Sequence, residues 1–317
     1  MIPPLREAIR RARLSLIEPV RTGCRRTGRG QTERGQTGRG QPGAEMTDQL
    51  KNRLGLAAIG QNAPHARWRT EAMRSHSSPR LLHISRGQGR ITLAGLTSGY
   101  GPNNLIFIPA RTMYGFEAGQ GVFGSLLAIP SAMASEWPET PVHLRLKDVL
   151  AQKEIVQILD ALERELSGRK PGHERAALYH AGLLAVFFAR QREAEGPGPE
   201  AGREDSPPAR LVAAFTDLVE QGYRTRRGVA DYAALLGVTP THLTRSCRRT
   251  CGRSALALLN DRVIHEARLR LQETRAPVQA IARELGFSSP AYFTRAFQAR
   301  TGMTPTAFRR STGTLRG

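Results

Sequence analysis

The sequence predicts an α+β chain of two folded domains. The first is a small antiparallel β-barrel or sandwich followed by a pair of helices, and the second is all-helical, built on two helix-turn-helix motifs. Three observations carry this. The chain has 317 residues, enough for two ordinary hydrophobic cores. Short β-rich runs broken by Gly and Pro are confined to its first half. In its last third one helical unit occurs twice, about fifty residues apart.

Residues 1–45 carry R-G-Q-T-like repetition between Arg29 and Pro42 and few apolar side chains. Such a segment cannot bury a core, so a disordered basic extension is expected. It is either a basic arm touching phosphates or an upstream extension; the ordinary opening M-T-D-Q-L-K-N-R-L from Met46 favours the second. Residues 46–193 form the first domain, with strands expected at 81–85, 90–94, 105–109 and 122–130 and a turn at Arg86–Gly89. Two helical runs follow. Leu146–Leu166 places Val149, Leu150, Ile155, Val156, Leu159, Leu162 and Leu166 at helical spacing; Arg175–Glu193 does so with Leu178, Leu183, Leu184, Val186, Phe187 and Phe188. The acidic Pro/Gly stretch 194–207 reads as a linker.

Residues 208–317 form the helical domain. It opens on an amphipathic helix, Arg210–Tyr223, with Leu211, Val212, Phe215, Leu218 and Val219 on one face. The repeat then pairs V-A-D-Y-A-A-L-L-G (229–237) with V-Q-A-I-A-R-E-L-G (278–286), and L-T-R-S-C-R-R-T-C-G (243–252) with F-T-R-A-F-Q-A-R-T-G (293–302). The second turn is longer by one residue. In the second copy Gly286 ends one helix, Ser289 caps the next and Pro290 fits its first turn. Phe293 and Phe297 share a face there, leaving Ser289, Ala291, Thr294 and Arg295 outward. A small, polar and basic outer face suits insertion into a DNA major groove. Between the copies Leu256, Leu259, Val263, Ala267 and Leu271 predict one long helix; about 20 residues at ~1.5 Å each span ~30 Å, near the ~34 Å turn of B-DNA.

Charge agrees. The formal net charge is +20, and residues 208–317 hold 18 Arg and no Lys against seven acidic residues. A GC-rich genome explains Arg in place of Lys but not its concentration in one domain, and Arg suits phosphate and guanine recognition. Cys24, Cys247 and Cys251 cannot make a disulfide framework. Cys247 and Cys251 lie one helical turn apart without further ligands nearby, so small buried side chains are expected rather than a metal site. No apolar run reaches the ~18 residues that span a bilayer, and no signal-peptide core is present.

At residues 281–309 the sequence resembles the signature of AraC/XylS-type transcriptional regulators: Leu285-Gly286-Phe287, Tyr292-Phe293, Arg295, Phe297, Gly302, Thr304-Pro305 and Phe308-Arg309 stand at the family's positions. The first copy and the run Arg262–Ala267 are similar to that family too. Departures are Cys247 and Cys251, where larger apolar residues are usual, and Leu269-Arg270, which inverts the usual order. The resemblance implies a cytoplasmic, non-enzymatic, sequence-specific DNA-binding regulator that answers to a small organic effector, works with RNA polymerase, and dimerises through the 146–193 helices. Activation and repression both stay open. It implies base-facing positions at Thr241, Thr244 and Arg245 in the first copy and Ser289, Pro290, Ala291 and Arg295 in the second, with Arg248 and Arg249 on phosphates. The order Tyr100 to Glu117 resembles a cupin barrel, the family's usual sensor. Metal-binding cupins supply a His-x-His pair, a Glu and a later His; here Met113 and Tyr114 stand where a second-motif His is expected, and His83 is alone. No cofactor or metal is therefore expected. A cupin-type enzyme fused to a DNA-binding module is the alternative, and it needs a convergent ligand or acid–base set. A repair protein with a Cys methyl acceptor would need clustered cysteines ahead of the helical domain.

Overall fold

A computed structural model describes residues 53–59, 72–119, 121–195, 203, 205–225 and 227–313. The expected extension 1–45 and most of the expected linker 194–207 lie outside the described residues.

Eight strands, all paired antiparallel, make up the N-terminal sheets: β1 (Gly55–Ile59), β2 (Arg80–Arg86), β3 (Gly89–Leu93), β4 (Leu96–Tyr100), β5 (Asn104–Ile108), β6 (Tyr114–Ala118), β7 (Phe123–Ala128) and β8 (Val142–Arg145). They do not close into the expected barrel. A five-stranded sheet runs β1-β7-β2-β5-β8 and a three-stranded sheet runs β4-β3-β6. Side-chain alternation explains the layering. Leu82 and Ile84 of β2 and Ile106 and Ile108 of β5 pack against Ile91, Tyr100, Tyr114 and Phe116 of the smaller sheet. Leu81, Leu105 and Phe107 point the other way, onto helices α1 (Val149–Ser167) and α2 (His173–Glu195). Covered on both faces, β5 is buried along its whole length, which is why its sequence reads as a continuous apolar run.

Helices α1 and α2 use only part of their apolar residues on that sheet. Ile155, Leu159, Leu162, Leu184, Phe187 and Phe188 are buried. Val149, Leu150, Val156, Leu178, Leu183 and Val186 are exposed, because the apolar positions run wider around each helix than one packed face.

The C-terminal helices are α3 (Pro207–Gly222), α4 (Val229–Leu235), α5 (Pro240–Cys251), α6 (Ala255–Glu273), α7 (Val278–Glu284), α8 (Pro290–Thr301) and α9 (Pro305–Gly313). The predicted face of α3 is buried throughout. On α6 the prediction needs correction: Leu259, Ala267 and Leu271 are buried, but Leu256 is exposed and Val263 half-buried. Leu258 and Ile264 enter the core instead, because α3, α4, α5, α7 and α9 crowd α6 from several sides.

Besides the packing of β4 against α5, two seams join the domains. At the first, the β3–β4 turn has Ala94 and Gly95 both at positive φ (46° and 80°), the conformation of a tight hairpin. A side chain at Gly95 would also meet Val212 of α3, with Cβ only 2.2 Å from its Cγ1. At the second seam Met73 and Met113, both buried, join the core of the C-terminal helices. Beside them Arg74 and Tyr114 exchange backbone hydrogen bonds of 2.9 and 2.7 Å, and the Arg74 guanidinium lies 4.6 Å from the Tyr114 ring centroid.

Buried on α6, His265 is held well below its ordinary pKa, first by burial and then by Arg74, Arg262, His76 and Arg268. Burial also lowers His83 and His143. All three ionise more readily unfolded, so stability is full above the ordinary value of 6.5 and falls as pH drops below it. Urea unfolding at pH 7.5, 6.5 and 5.5 should show this loss, and His265→Gln should flatten it by about one proton, ~1.4 kcal/mol per pH unit below 6.5. An unchanged slope in the variant would contradict the neutral assignment of His265.

Candidate nucleic-acid interface

Both helix-turn-helix units form as the repeat predicts. Thr239 caps α5, accepting from the His242 backbone N–H at 3.2 Å, and Ser289 caps α8, accepting from that of Tyr292 at 3.1 Å; Pro240 and Pro290 start the helices. Both helices end on a left-handed glycine, Gly252 and Gly302. Gly286, before the second turn, is at φ 78°, and a Cβ there would stand 2.9 Å from the Arg224 carbonyl oxygen. No other residue fits that approach between α7 and the end of α3.

Each helix buries one face. On α5 these are Leu243, Ser246 and Cys247; on α8, Phe293 and Phe297. Burial pushes the Cys247 thiol up to about 12, so it behaves as a small apolar core residue, and Cys251 donates to the Cys247 carbonyl at 3.1 Å. Opposite, Thr241, Arg245, Arg248 and Arg249 are exposed and Thr244 is half-buried. Thr241, Thr244, Arg245 and Arg248 line one open depression of about 440 Å³ with Pro240, so the first copy's candidates are brought together.

On α8, Pro290, Ala291 and Arg295 are exposed and Ser289 is half-buried. The Ser289 oxygen is already engaged in the cap, and Thr294 donates its hydroxyl to the Pro290 carbonyl at 3.0 Å. Two further positions, not among the expected base-facing residues, are exposed on the same faces: His242 and Tyr292. They are equivalent residues of the two copies, and the repeat spacing was the signal that pairs them. The copies differ in charge, since Arg248 and Arg249 of the first correspond to Gln298 and Ala299 of the second.

What orients α5 and α8 is a set of ion pairs along α6. Arg262, its side chain 5% exposed, meets Glu220 of α3 with Nε to Oε2 at 2.7 Å and Nη2 to Oε1 at 3.3 Å. Its Nη1 reaches Glu266 at 3.2 Å, and the guanidinium lies 3.8 Å from the centroid of the Tyr223 ring. Glu266 also holds Arg224 and Arg270, and Arg270 pairs in turn with Glu284 of α7. Burial works to raise the Glu266 carboxyl, but Arg262, Arg224 and Arg270 outweigh it and hold the pKa at about 2. Further along, Asp261 receives Arg253, just past α5, at 2.8 Å and Arg300, in the last turn of α8, at 3.2 Å. One carboxylate therefore ties the C-terminal ends of α5 and α8 to α6.

Residues 232–311 match a family described as a helix-turn-helix domain. Over 81 residues the chain is 35% identical to the arabinose operon regulatory protein of Escherichia coli, covering 26% of this chain and 28% of that protein. Over 181 residues it is 25% identical to the HTH-type transcriptional activator RhaR of Salmonella dublin, covering 57% and 61% of the two. A probable bifunctional transcriptional activator/DNA repair enzyme AlkA of Mycobacterium tuberculosis is 33% identical over 99 residues, 31% of this chain and 20% of that protein. The chain thus spans less than two thirds of the length of these relatives.

Arg262→Met strands the Glu220 carboxylate, 13% exposed, without its bidentate partner. Denaturant unfolding should lose about 3–5 kcal/mol, and Arg262→Met with Glu220→Leu together should recover most of it. Equal losses in the single and double variants would show that the pair's charge complementarity is not what holds α3 to α6.

Proposed function

We infer that this chain is a transcription regulator of the AraC/XylS type, whose C-terminal domain reads specific DNA and whose N-terminal sheets sense a small molecule. The observation that carries this is the pair of helix-turn-helix units on one rigid helix, each with a basic face turned to solvent. α6 has 19 residues, about 28 Å at ~1.5 Å each, which suits two reading helices in successive major grooves on one face of B-DNA.

In this reading Thr241, Thr244 and Arg245 meet base edges in one groove, and Ser289, Pro290, Ala291 and Arg295 in the next. Arg248 and Arg249 meet phosphates. The exposed apolar face of α1 and α2, with Leu150, Leu183 and Val186, is the surface for a second copy of the chain. A homodimer would set two DNA-binding domains on one operator, and RNA polymerase is the further partner expected at a promoter. No helix among the described residues is long and apolar enough to cross a membrane. DNA as partner implies the cytoplasm as location. An enzymatic sensor is the less favoured reading, since among the described residues no group of three or more His, Cys, Asp or Glu is placed to hold a metal. The likeness to the bifunctional activator and repair protein leaves four fifths of that protein unmatched and argues only for the shared DNA-binding part.

Arg245→Ala or Arg295→Ala should each cost about 1–3 kcal/mol on a selected specific duplex and much less on a scrambled one. We expect Arg245 to matter more. Arg248→Ala should weaken both duplexes alike and lower the salt slope by about one. Binding titrations at several salt concentrations decide it: equal losses on both duplexes for the Arg245 and Arg295 variants would reduce these residues to backbone contacts.

A further inference from the structure

The space between the two sheets, where a sensor of this architecture would be expected to hold its ligand, is occupied by the protein's own side chains. Leu82, Ile84, Ile91, Ile106, Tyr114 and Phe116 are buried there, and Tyr100 stacks on Phe116 with centroids 4.8 Å apart. A cavity of about 170 Å³ lies instead where the β3–β4 hairpin and β8 face α3. Leu93 and Leu96 come from the hairpin, Ala209 and Ala213 from α3, and the polar side chains are Ser98, His143 and, ahead of β8, Thr140.

We propose that this cavity is the effector site, and that it takes a compact, uncharged, largely apolar molecule of about one aromatic ring carrying one hydrogen-bond donor. The proposal rests on reading the chain as an effector-controlled regulator. Size sets the first limit: dry cavities of ~150 Å³ lined by aliphatic side chains hold benzene. Charge sets the second, because no Asp, Glu, Lys or Arg lines the cavity and a charged ligand would be desolvated without a counter-ion.

The donor requirement follows from His143. Asn104 is oriented by two contacts of its own, its Oδ1 accepting from the Gly101 N–H at 3.3 Å and its Nδ2 donating to the Pro102 carbonyl at 3.2 Å. The same Oδ1 lies 2.7 Å from His143 Nε2. The imidazole nitrogen facing an amide oxygen must carry the proton, which leaves Nδ1 of the neutral ring as an acceptor. Burial favours that neutral form. A ligand hydroxyl can donate to it, with the Ser98 hydroxyl as second partner.

The location gives the ligand a route to DNA. The walls belong to both domains, and the α3 wall is on the helix that carries Glu220, the partner of Arg262. A ligand filling the cavity fixes the hairpin, whose Gly95 already touches Val212, against the helix that orients α6. Ala209 and Ala213 are small, so either position can be used to fill the cavity from within.

The test uses the full chain with benzyl alcohol as probe, followed by ligand-observed NMR and calorimetry. Benzyl alcohol should bind saturably to the parent, whereas benzoate and benzylammonium should bind at least tenfold more weakly. Ala213→Leu should lose benzyl alcohol binding at least tenfold. Ser98→Val, which leaves the apolar walls in place, should weaken benzyl alcohol more than toluene and serves if Ala213→Leu does not fold. Benzyl alcohol should also shift the affinity of the parent for its selected duplex, and leave that of Ala213→Leu unmoved. A folded Ala213→Leu that binds the probe as the parent does overturns the proposal, as does Ser98→Val weakening both ligands equally, or binding that leaves duplex affinity unchanged. Failure of the regulator reading itself appears separately, as no preference of the probe-free parent for the selected over the scrambled duplex.

Discussion

A guanidinium almost wholly removed from water is the constraint on which the C-terminal domain depends. Arg262 tolerates burial because Glu220 meets it with two oxygens, Glu266 with a third, and the Tyr223 ring covers its face. Those partners come from α3, from the next turn of α6 and from the end of α3, so satisfying one charge fixes two helices at one angle. Such an arrangement contributes geometry more than net stability, since an apolar substitute of equal volume can stabilise as well. Its consequence is that the crossing of α3 and α6 has one solution. Everything that must stand at a fixed separation on α6 inherits that solution.

Asp261 extends the same logic to α5 and α8. It draws Arg253 and Arg300 to one point on α6, so the ends of α5 and α8 share an anchor although they are far apart in sequence. The caps set the other ends, and Gly286 allows α7 to come close enough to α3 for the second unit to pack. The N-terminal sheets reach this framework at the Gly95 turn, at Met73 and Met113, and where β4 packs against α5. A change in the sheets therefore has a physical path to α5 and α8.

How much of this was legible in the sequence depended on the range of the determining contact. The helix-turn-helix units were legible because their signals are local: Gly286 ends one helix, Ser289-Pro290 starts the next, and the repeat carries the same pattern to the first copy. The strands were half legible. β2, β5 and β7 stand out as apolar runs, whereas β4 hides in L-T-S-G-Y and β6 in Y-G-F-E-A, where pairing to β3 rather than composition makes the strand. Closure into a barrel was an inference from resemblance, and two separate sheets resulted because side-chain alternation does not encode which edges meet. On α6 the apolar period gave Leu259, Ala267 and Leu271 but misplaced Leu256, since a helix packed from several sides has no single stripe. The Arg262–Glu220 pair was not legible at all: 42 residues separate its members, and a buried Arg looks like any other in an Arg-rich domain.

On the proposed function, α6 presents α5 and α8 to one face of the duplex at a spacing of about one helical turn. Hydroxyl-radical footprinting of the full chain on a duplex selected from random sequence measures this most directly. Two protected patches are expected per C-terminal domain, on the same face and roughly 10 base pairs apart. A single patch, or two on opposite faces of the helix, would contradict it.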